Sequence, residues 1–298
     1  MRSRSTAPCL VAVISLKRLL ALLLLFSFLL AVLTSCHHAP LAPEEGEILV
    51  HFLDVGQADC MLLQTREAVI LVDAGSDEPG AGDKIVAYLR KLGIERIDCL
   101  ALTHPHSDHI GGAAAVLREF SVSECLISSM AADTPLFTEL LDALVLEDCR
   151  MHEAVRGREL VYGDITLEVL SPDLLKGEDE NAGSAVILAQ YGKSRIALTA
   201  DIPSEVEKKL VAHYGKEALD ADLLKVAHHG SPTATCADFL EALSPAYAVI
   251  SCGRGNEYGY PSAEVLARLA LADVAVLRTD LDGTVVLRGD GTEFFPIK

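Results

Sequence analysis

One short loop constrains this chain more than any other segment. Residues 103–109 read Thr-His-Pro-His-Ser-Asp-His, which places three imidazoles and one carboxylate within six positions, directly after the largely apolar run 98–102. The Ile-Gly-Gly and alanine-rich stretch that follows predicts a helix, so the loop joins a strand to a helix. Imidazole nitrogen and carboxylate oxygen are the ligands that Zn²⁺ and similar cations prefer. A His-rich surface loop is the alternative, but ten His in 298 residues make chance clustering a poor explanation.

The first 35 residues predict an export signal. Four basic residues fall within the first 18 positions, and residues 19–33 are apolar apart from one Ser. This stretch is shorter than the ~18 or more apolar residues expected of a membrane-spanning helix. Its end, Leu-Thr-Ser-Cys, resembles a bacterial lipobox, in which Cys36 would be lipidated and anchor the mature protein at the outer face of the cytoplasmic membrane. An uncleaved anchor and ordinary signal cleavage are the alternatives, and all three place the remainder outside the cytoplasm.

The rest of the chain predicts one tethered domain. Residues 1–36 are the predicted signal and lipobox, residues 37–46 a short tether with two Pro and two Glu, and residues 47–298 a single α/β domain. The six Cys of this domain show no Cys-x-x-Cys spacing and are expected to be buried thiols. The formal net charge is −18, and because no acidic residue falls in the signal, the domain itself is more acidic. Such a surface repels polyanions at long range and lacks the basic stripe of nucleic-acid binders.

Apolar periodicity predicts two mixed β-sheets with helices outside them. Strands are expected near 48–55, 60–64, 68–72, 99–102, 122–127, 159–161, 165–170, 185–190, 194–199, 223–227, 246–251, 275–278, 284–288 and 293–296. Helices are expected over 83–92, 112–120, 134–146, 203–214, 237–243 and 262–271. Thr134, followed by Pro135, is the predicted N-cap of its helix.

Several motifs, in order along the chain, resemble those of the metallo-β-lactamase superfamily. They are the His-x-His-x-Asp-His loop, Leu-Val-Asp-Ala-Gly at 71–75, Leu-Thr-Ala-Asp at 198–201 and Leu-Lys-Val-Ala-His-His-Gly-Ser at 224–231. Within the superfamily, the chain is most similar to the C-terminal hydrolase domain of ComEC-type competence proteins, through the strings at 52–59, 228–231, 258–261 and 277–280. The resemblance covers residues ~47–298 and implies an αβ/βα four-layer sandwich with its site at the strand ends between the two sheets.

The same resemblance implies a dinuclear metal centre. The implied metal ligands are His104, His106, Asp108, His109, Asp201 and His228. The first two would hold one cation, the next two together with His228 the other, and Asp201 would bridge them. Asp201 also follows an apolar strand, although capping of the helix after Pro203 is an alternative role. Asp108 and Asp201 are therefore candidates for catalysis as well.

The pair His228–His229 needs separate roles if it lies on an extended strand, because adjacent side chains then point to opposite faces. We predict that His228 binds metal and that His229 acts in catalysis, contacting a substrate oxygen or donating a proton to the leaving group. Packing or capping by either His is the alternative. Asp73 is expected to orient the metal loop rather than to bind metal directly, and Asp54 and Asp59 are candidates for similar buried roles.

Two departures from the superfamily pattern affect the predicted site. His152 is the only His between the metal loop and Asp201, and it lies in no matching context, so the first metal would lack a ligand. Water or Asn181 could fill the place, and one or two Zn²⁺ ions or the more oxygen-preferring Mn²⁺ are the expected cofactors. Asn181, Ser184, His229 and Tyr260 are the candidate substrate contacts. Tyr260 stands where ComEC-like domains commonly have His, and it can donate a hydrogen bond to a phosphate oxygen.

The predicted function follows from this centre. Two cations would activate a water for hydrolysis, which implies a lipid-anchored, metal-dependent phosphodiesterase or nuclease acting outside the cytoplasmic membrane. DNA and a wall or teichoic-type polymer are the candidate phosphodiester substrates, and no protein partner can be predicted. The alternatives are a non-catalytic module that binds DNA or wall polymer and a hydrolase of another ester or a lactam.

Overall fold

The computed structural model describes residues 41–128, 130–171 and 179–297. The predicted signal, the predicted lipidation of Cys36 and the first part of the predicted tether concern residues outside the described part of the chain, so they stay predictions. Within the described part of the chain, no helix has both the length and the apolar character needed to cross a membrane.

The described residues form strands and helices in this order. The strands are β1 (Ile48–Phe52), β2 (Met61–Gln64), β3 (Val69–Val72), β4 (Arg96–Leu102), β5 (Ser121–Ser128), β6 (Arg150–Ala154), β7 (Glu159–Tyr162), β8 (Ile165–Val169), β9 (Ile187–Tyr191), β10 (Ser194–Leu198), β11 (Leu223–Lys225), β12 (Tyr247–Ile250), β13 (Ala275–Arg278), β14 (Val285–Gly289) and β15 (Phe294–Ile297). The helices are α1 (Ala81–Lys91), α2 (Ser107–Ile110), α3 (Ala113–Glu119), α4 (Pro135–Glu147), α5 (Ser204–Leu219), α6 (Ala237–Leu243), α7 (Ala263–Leu271) and α8 (Thr279–Asp282), and a 3₁₀ turn covers Ala227–Gly230.

Both sheets are mixed, as the sequence predicted. The eight-stranded sheet has the order β15-β14-β1-β2-β3-β4-β5-β6, parallel from β3 to β6 and antiparallel elsewhere. The seven-stranded sheet has the order β13-β12-β11-β10-β9-β8-β7, parallel from β10 to β13 and antiparallel from β7 to β10. Each sheet therefore contains a parallel part, whose strands end on the same edge.

Alternating side chains of the seven-stranded sheet pack into two different cores. Ile196 and Leu198 belong to the buried cluster that also contains side chains of the eight-stranded sheet, such as Val50. Ala197, between them, packs instead with Leu210 of α5 and with residues of α6. This alternation follows from the two-residue repeat of a strand. On the eight-stranded sheet, α3 contacts β5, and α1 and α4 pack on α3. The predicted four-layer sandwich is confirmed.

Most predicted elements are present with shifted ends. The Thr134 side chain accepts a hydrogen bond from Phe137 N at 3.1 Å and caps α4 as predicted. Strand β6 was not predicted, because its sequence Arg-Met-His-Glu-Ala is mostly polar, which suits a strand at the edge of a sheet. Of the six described Cys, all free thiols, four are buried as expected, whereas Cys149 and Cys236 are partly exposed.

Candidate metal centre

The His-rich loop lies between a buried strand and a short helix. Strand β4 ends at Leu102, as the sequence predicted, whereas the short helix α2, which begins at Ser107, was not predicted and includes the last three residues of the loop sequence. His104 is buried, and its Nε2 lies 3.0 Å from Nδ1 of His106. His109 lies within α2 and is fully buried, with its ring centroid 4.1 Å from that of His104. The His104 ring therefore lies next to both of the other imidazoles of the loop.

Asp73 lies behind this loop, directly after β3, the parallel neighbour of β4. Its Oδ2 is 2.8 Å from His109 Nδ1, and its Oδ1 accepts a hydrogen bond from Thr103 N at 2.9 Å. Because the carboxylate engages Nδ1, His109 directs Nε2 toward the space between the sheets. Burial is the largest influence on the Asp73 carboxyl and raises its pKa. This position is the one expected of a carboxylate that orients the loop.

Asp201 comes from the seven-stranded sheet, shortly after β10 ends at Leu198. It is buried, and its Oδ2 lies 3.4 Å from His109 Nε2 and 3.5 Å from His229 Nε2. The alternative role was capping of the following helix, and the N-cap residue of α5 is Pro203 rather than Asp201. Asp201 therefore faces the His-rich loop across the space between the two sheets.

The histidine pair does not lie on an extended strand. Strand β11 ends at Lys225, and His228 and His229 adopt left-handed backbone conformations, with φ of 50° and 52°, inside the 3₁₀ turn. The predicted strand over 223–227 is thus too long, and the argument that adjacent side chains point to opposite faces does not apply here. The roles of the two His have to be judged from their contacts.

The two His side chains differ in burial and in contacts. His229 Nδ1 lies 2.9 Å from Ser251 O, and a proton on Nδ1 can be donated to this carbonyl. In that tautomer Nε2 carries the lone pair, and it lies 3.1 Å from Asp108 Oδ2. The His229 side chain is 2% exposed, whereas the His228 side chain is 26% exposed, with its Nε2 3.8 Å from Asp201 Oδ2. The geometry favours His229 as a metal ligand, while the sequence interpretation favours His228.

Four side chains together offer a site for a divalent cation. Asp108, His109, Asp201 and His229 each present one ligand atom, and these atoms lie within 4.8 Å of one another. His109 Nε2 is buried and makes no hydrogen bond within the described part of the chain, a costly state that a metal would relieve. Burial would raise the pKa of Asp108, but hydrogen bonding to His229 and the charge of His109 lower it well below its usual range. Two imidazoles and two carboxylates suit Zn²⁺ or Mn²⁺.

His104 and His106 form a second group, in which His104 is buried and His106 is partly exposed. The two rings contact each other, and Glu180 Oε2 lies 2.7 Å from His106 Nε2. Sequence reasoning did not select Glu180, although it lies next to Asn181, in the segment examined as a substitute for the missing His. His152 lies elsewhere, in β6, where its Nε2 is 3.1 Å from Glu124 Oε2.

Asn181 and Ser184 lie in a segment that packs on the metal loop. Ala185 N donates a hydrogen bond to Thr103 O at 2.9 Å, and Ser184 N donates to Asn181 O at 3.1 Å. Asn181 Oδ1 and Ser184 Oγ are buried and have no hydrogen-bond partner in the described residues. Such atoms are available to a ligand, and their predicted contact with substrate stays a prediction.

An open cavity adjoins Asp108. It measures about 400 Å³ and is lined by Gln57, Ser76, Asp77, Glu78, Ser107, Asp108, Asn256, Glu257 and Tyr258. No Lys or Arg occurs in this lining. Tyr258 stacks on Tyr260 with ring centroids 5.6 Å apart, and the Tyr260 ring in turn lies 5.9 Å from that of His228. The entrance beside the cluster is therefore acidic and aromatic.

Two further buried charges were missed or only partly recognised from the sequence. Lys225, at the end of β11, is fully buried and forms an ion pair with the equally buried Asp59. Its Nζ also lies 3.6 Å from Asp201 Oδ1. A Lys inside the apolar run Leu-Leu-Lys-Val-Ala was the available signal. Asp54, by contrast, is exposed, so the expectation that it is buried is wrong.

Two mixed sheets with a cluster of His and Asp at their strand ends define a metal-binding α/β sandwich. The family model of the metallo-beta-lactamase superfamily matches residues 53–254, and the chain belongs to this superfamily. The solved structure of the metallo-beta-lactamase fold protein YhfI from Bacillus subtilis is similar to this chain, with a TM-score of 0.50 at 14% identity over 78% of this chain and 95% of that one. This similarity bears on the fold alone, and the superfamily implies a divalent metal.

Curated relatives include competence proteins, as the sequence motifs predicted. The chain is 33% identical over 265 residues to ComE operon protein 3 of Bacillus subtilis, covering 84% of this chain and 34% of that protein. It is 32% identical over 248 residues to Competence protein ComA of Neisseria gonorrhoeae, covering 83% of this chain and 33% of that protein. The chain thus spans about a third of the length of these relatives.

Proposed function

We propose that this protein is a metal-dependent phosphodiesterase or nuclease that acts outside the cytoplasmic membrane. The observation that carries the proposal is the convergence of ligand atoms from Asp108, His109, Asp201 and His229 within 4.8 Å of one another, with His109 Nε2 buried and without a hydrogen bond in the described residues. Membership of the superfamily and similarity to competence proteins support hydrolysis and a nucleic-acid type of substrate.

Within this proposal, the four clustered side chains hold one divalent cation. Asp73 and the Ser251 carbonyl each engage Nδ1 of one ligand His, so that both imidazoles present Nε2. Asp201 and Asp108 contribute carboxylate oxygens from opposite sheets. When bound, such a cation supplies an acidified water and stabilises negative charge on the reacting phosphate.

His104 and His106 are proposed to form the second, weaker cation position. Glu180 lies beside His106 and would add an oxygen ligand in place of the missing His. A set of imidazole and carboxylate ligands can bind either Zn²⁺ or Mn²⁺, since carboxylate oxygens suit Mn²⁺. The proposal therefore includes one or two ions, with Zn²⁺ the expected occupant and Mn²⁺ the alternative.

His228 and Tyr260 are proposed to contact the substrate from the open side. His228 is the more exposed member of the histidine pair, and Tyr260 packs against its ring. Both side chains can donate a hydrogen bond to a phosphate oxygen. Ser184, whose buried Oγ has no hydrogen-bond partner in the described residues, is proposed to donate in the same way from the other side of the metal loop. Asn181 Oδ1 is also buried without a partner, and it is proposed to accept a hydrogen bond from a hydroxyl group or water bound with the substrate.

The acidic cavity bears on the kind of phosphodiester. A lining with Asp77, Glu78 and Glu257 and no basic side chain repels a long polyanion. A strand end or a short phosphodiester fits this entrance better than an extended duplex, which would need several Lys or Arg contacts to phosphates. DNA ends remain the first proposed substrate because of the competence relatives, and a wall or teichoic-type polymer reached from a lipid anchor at Cys36 is the second.

The test is hydrolysis of bis(p-nitrophenyl) phosphate, single-stranded DNA and duplex DNA by the purified protein. Activity is expected to disappear with EDTA and to return with Zn²⁺ or Mn²⁺. His229→Ala should abolish turnover. His152→Ala should leave it unchanged, because His152 lies in β6 and pairs with Glu124 of β5. Tight polymer binding without hydrolysis under any metal would contradict the proposal and support a non-catalytic binding module.

A further inference from the structure

We infer that the Lys225 ammonium, by forming an ion pair with Asp59, keeps that carboxylate from binding metal. The ion pair thereby directs the divalent metal to the cluster of Asp108, His109, Asp201 and His229. The inference rests on the proposed metal-binding function. It goes beyond that function because it assigns a positioning role to a side chain that would contact neither the substrate nor the metal.

The contacts of Lys225 are those of a fixed charge. Its side chain is fully buried, as is that of its ion-pair partner Asp59. Its Nζ donates a hydrogen bond to Ala200 O at 3.1 Å and lies 3.6 Å from Asp201 Oδ1. A buried ammonium is costly unless its charge and donors are satisfied, and here two carboxylates and one carbonyl surround it.

A competing metal site lies close to this ammonium. Asp59, Asp73 and His109 are all buried and also present ligand atoms within 4.8 Å of one another. This group shares His109 with the proposed metal cluster. Its carboxylates, however, already have partners, since Lys225 pairs with Asp59 and Asp73 engages His109 Nδ1. A second cation here would lie within a few ångströms of the ammonium and be repelled by it.

Asp59 also connects this pair to the metal loop. Its backbone N donates to Asp108 O at 3.0 Å, and Gly75 N donates to its carbonyl at 2.8 Å. The pair Lys225–Asp59 therefore connects the strand β11 of one sheet with the loop that follows β4 of the other. Through its contact with Asp201, Lys225 holds that carboxylate facing His109.

The charge balance makes the inference testable. Without the ammonium, Asp59 is free to compete, together with Asp73, for the cation that His109 binds, so the Co²⁺ form of Lys225→Met should have an absorption spectrum different from that of the unaltered protein. Lys225→Arg keeps the positive charge and should keep the unaltered spectrum. Asp59→Asn deprives Lys225 of its main partner and leaves its charge to Asp201 alone, so metal affinity should fall about 10-fold, at the low end of effects from groups that orient ligands.

The experiment is calorimetric titration of the EDTA-treated full chain with Zn²⁺, together with the absorption spectrum of the Co²⁺ form. The double variant Asp59→Asn/Lys225→Met removes both charges and should recover most of the affinity lost in Asp59→Asn. Arg278→Met, which breaks the pair Arg278–Asp280, serves as the control and should bind metal normally. Circular dichroism reports which variants are folded.

A Co²⁺ spectrum of folded Lys225→Met identical to that of the unaltered protein would overturn the inference. If that variant does not fold, equal affinity of Asp59→Asn and the unaltered protein overturns it instead, as does a double variant that binds no better than Asp59→Asn. Failure of the proposed function is a separate result. A protein that binds Zn²⁺ with the expected variant pattern but hydrolyses no phosphodiester retains the role of Lys225 and loses only the proposed activity.

Discussion

The two sheets contribute to the candidate metal centre in different ways. The eight-stranded sheet supplies a contiguous loop, with His104, His106 and His109 held between a strand and a helix and Asp73 behind them. The seven-stranded sheet supplies separate side chains after two parallel strands, chiefly Asp201. The first contribution comes from residues that are close in the chain, whereas the second depends on how the sheets pack. Variants on either side can therefore separate metal capture by the loop from completion of the site.

The largest effect is expected for Asp201→Asn. This change removes a buried carboxylate oxygen that lies near both His109 and His229, so the loop alone must hold the cation. We expect phosphodiester turnover to fall more than about 100-fold, beyond the range typical of groups that only orient ligands. Steady-state kinetics and metal content after dialysis measure this loss. Asp220→Asn, at an exposed Asp in the same half of the chain, is the control, and equal activity of the two variants would show that the Asp201 carboxylate is dispensable.

Asp73→Asn tests the other side of the comparison. An amide at this position can turn its NH₂ toward His109 Nδ1, which disfavours the tautomer that presents Nε2 to the metal. Metal affinity should fall about 10- to 100-fold. Competition with a chromophoric chelator measures it. Asp98→Asn is the matched control, because Asp98 also accepts a backbone hydrogen bond in this sheet, from Val69 N at 2.9 Å. Wild-type affinity in Asp73→Asn would mean that the loop needs no orienting carboxylate.

His228→Ala is expected to act more weakly on metal binding than His229→Ala. His228 is partly exposed and farther from Asp201, so its loss should raise KM for the phosphodiester and leave Zn²⁺ affinity within a few-fold. Titration of both variants with Zn²⁺ and comparison of kcat with KM separate the two roles. If His228→Ala lost metal as His229→Ala does, the assignment made from the sequence would replace the one made from the geometry.

The same contrast between the sheets explains what the sequence could predict. The loop could be predicted because its candidate ligands are neighbours in the chain and follow an apolar strand. The alternation of apolar residues likewise indicated two sheets. The contacts of His229 could not be predicted, because they depend on the left-handed backbone conformations of His228 and His229 after β11, which no local sequence pattern indicated. Glu180 and Lys225 were missed for a related reason. Their partners His106 and Asp59 are far away in the sequence, so only the packed structure brings them together.

The smallest predicted effect concerns the entrance rather than either sheet's ligands. Glu78 and Glu257 line the cavity beside Asp108 and are exposed. Replacing either by Gln should raise kcat/KM for an anionic phosphodiester about twofold to fivefold at low ionic strength, since one exposed charge contributes up to roughly 1 kcal/mol. Salt should reduce the gain, because it screens exposed charges. Glu264→Gln, an exposed charge outside this cavity, should change nothing. A gain that persists at high salt would mean that shape, not charge, limits entry, and the acidic lining would then cease to argue against an extended polyanion.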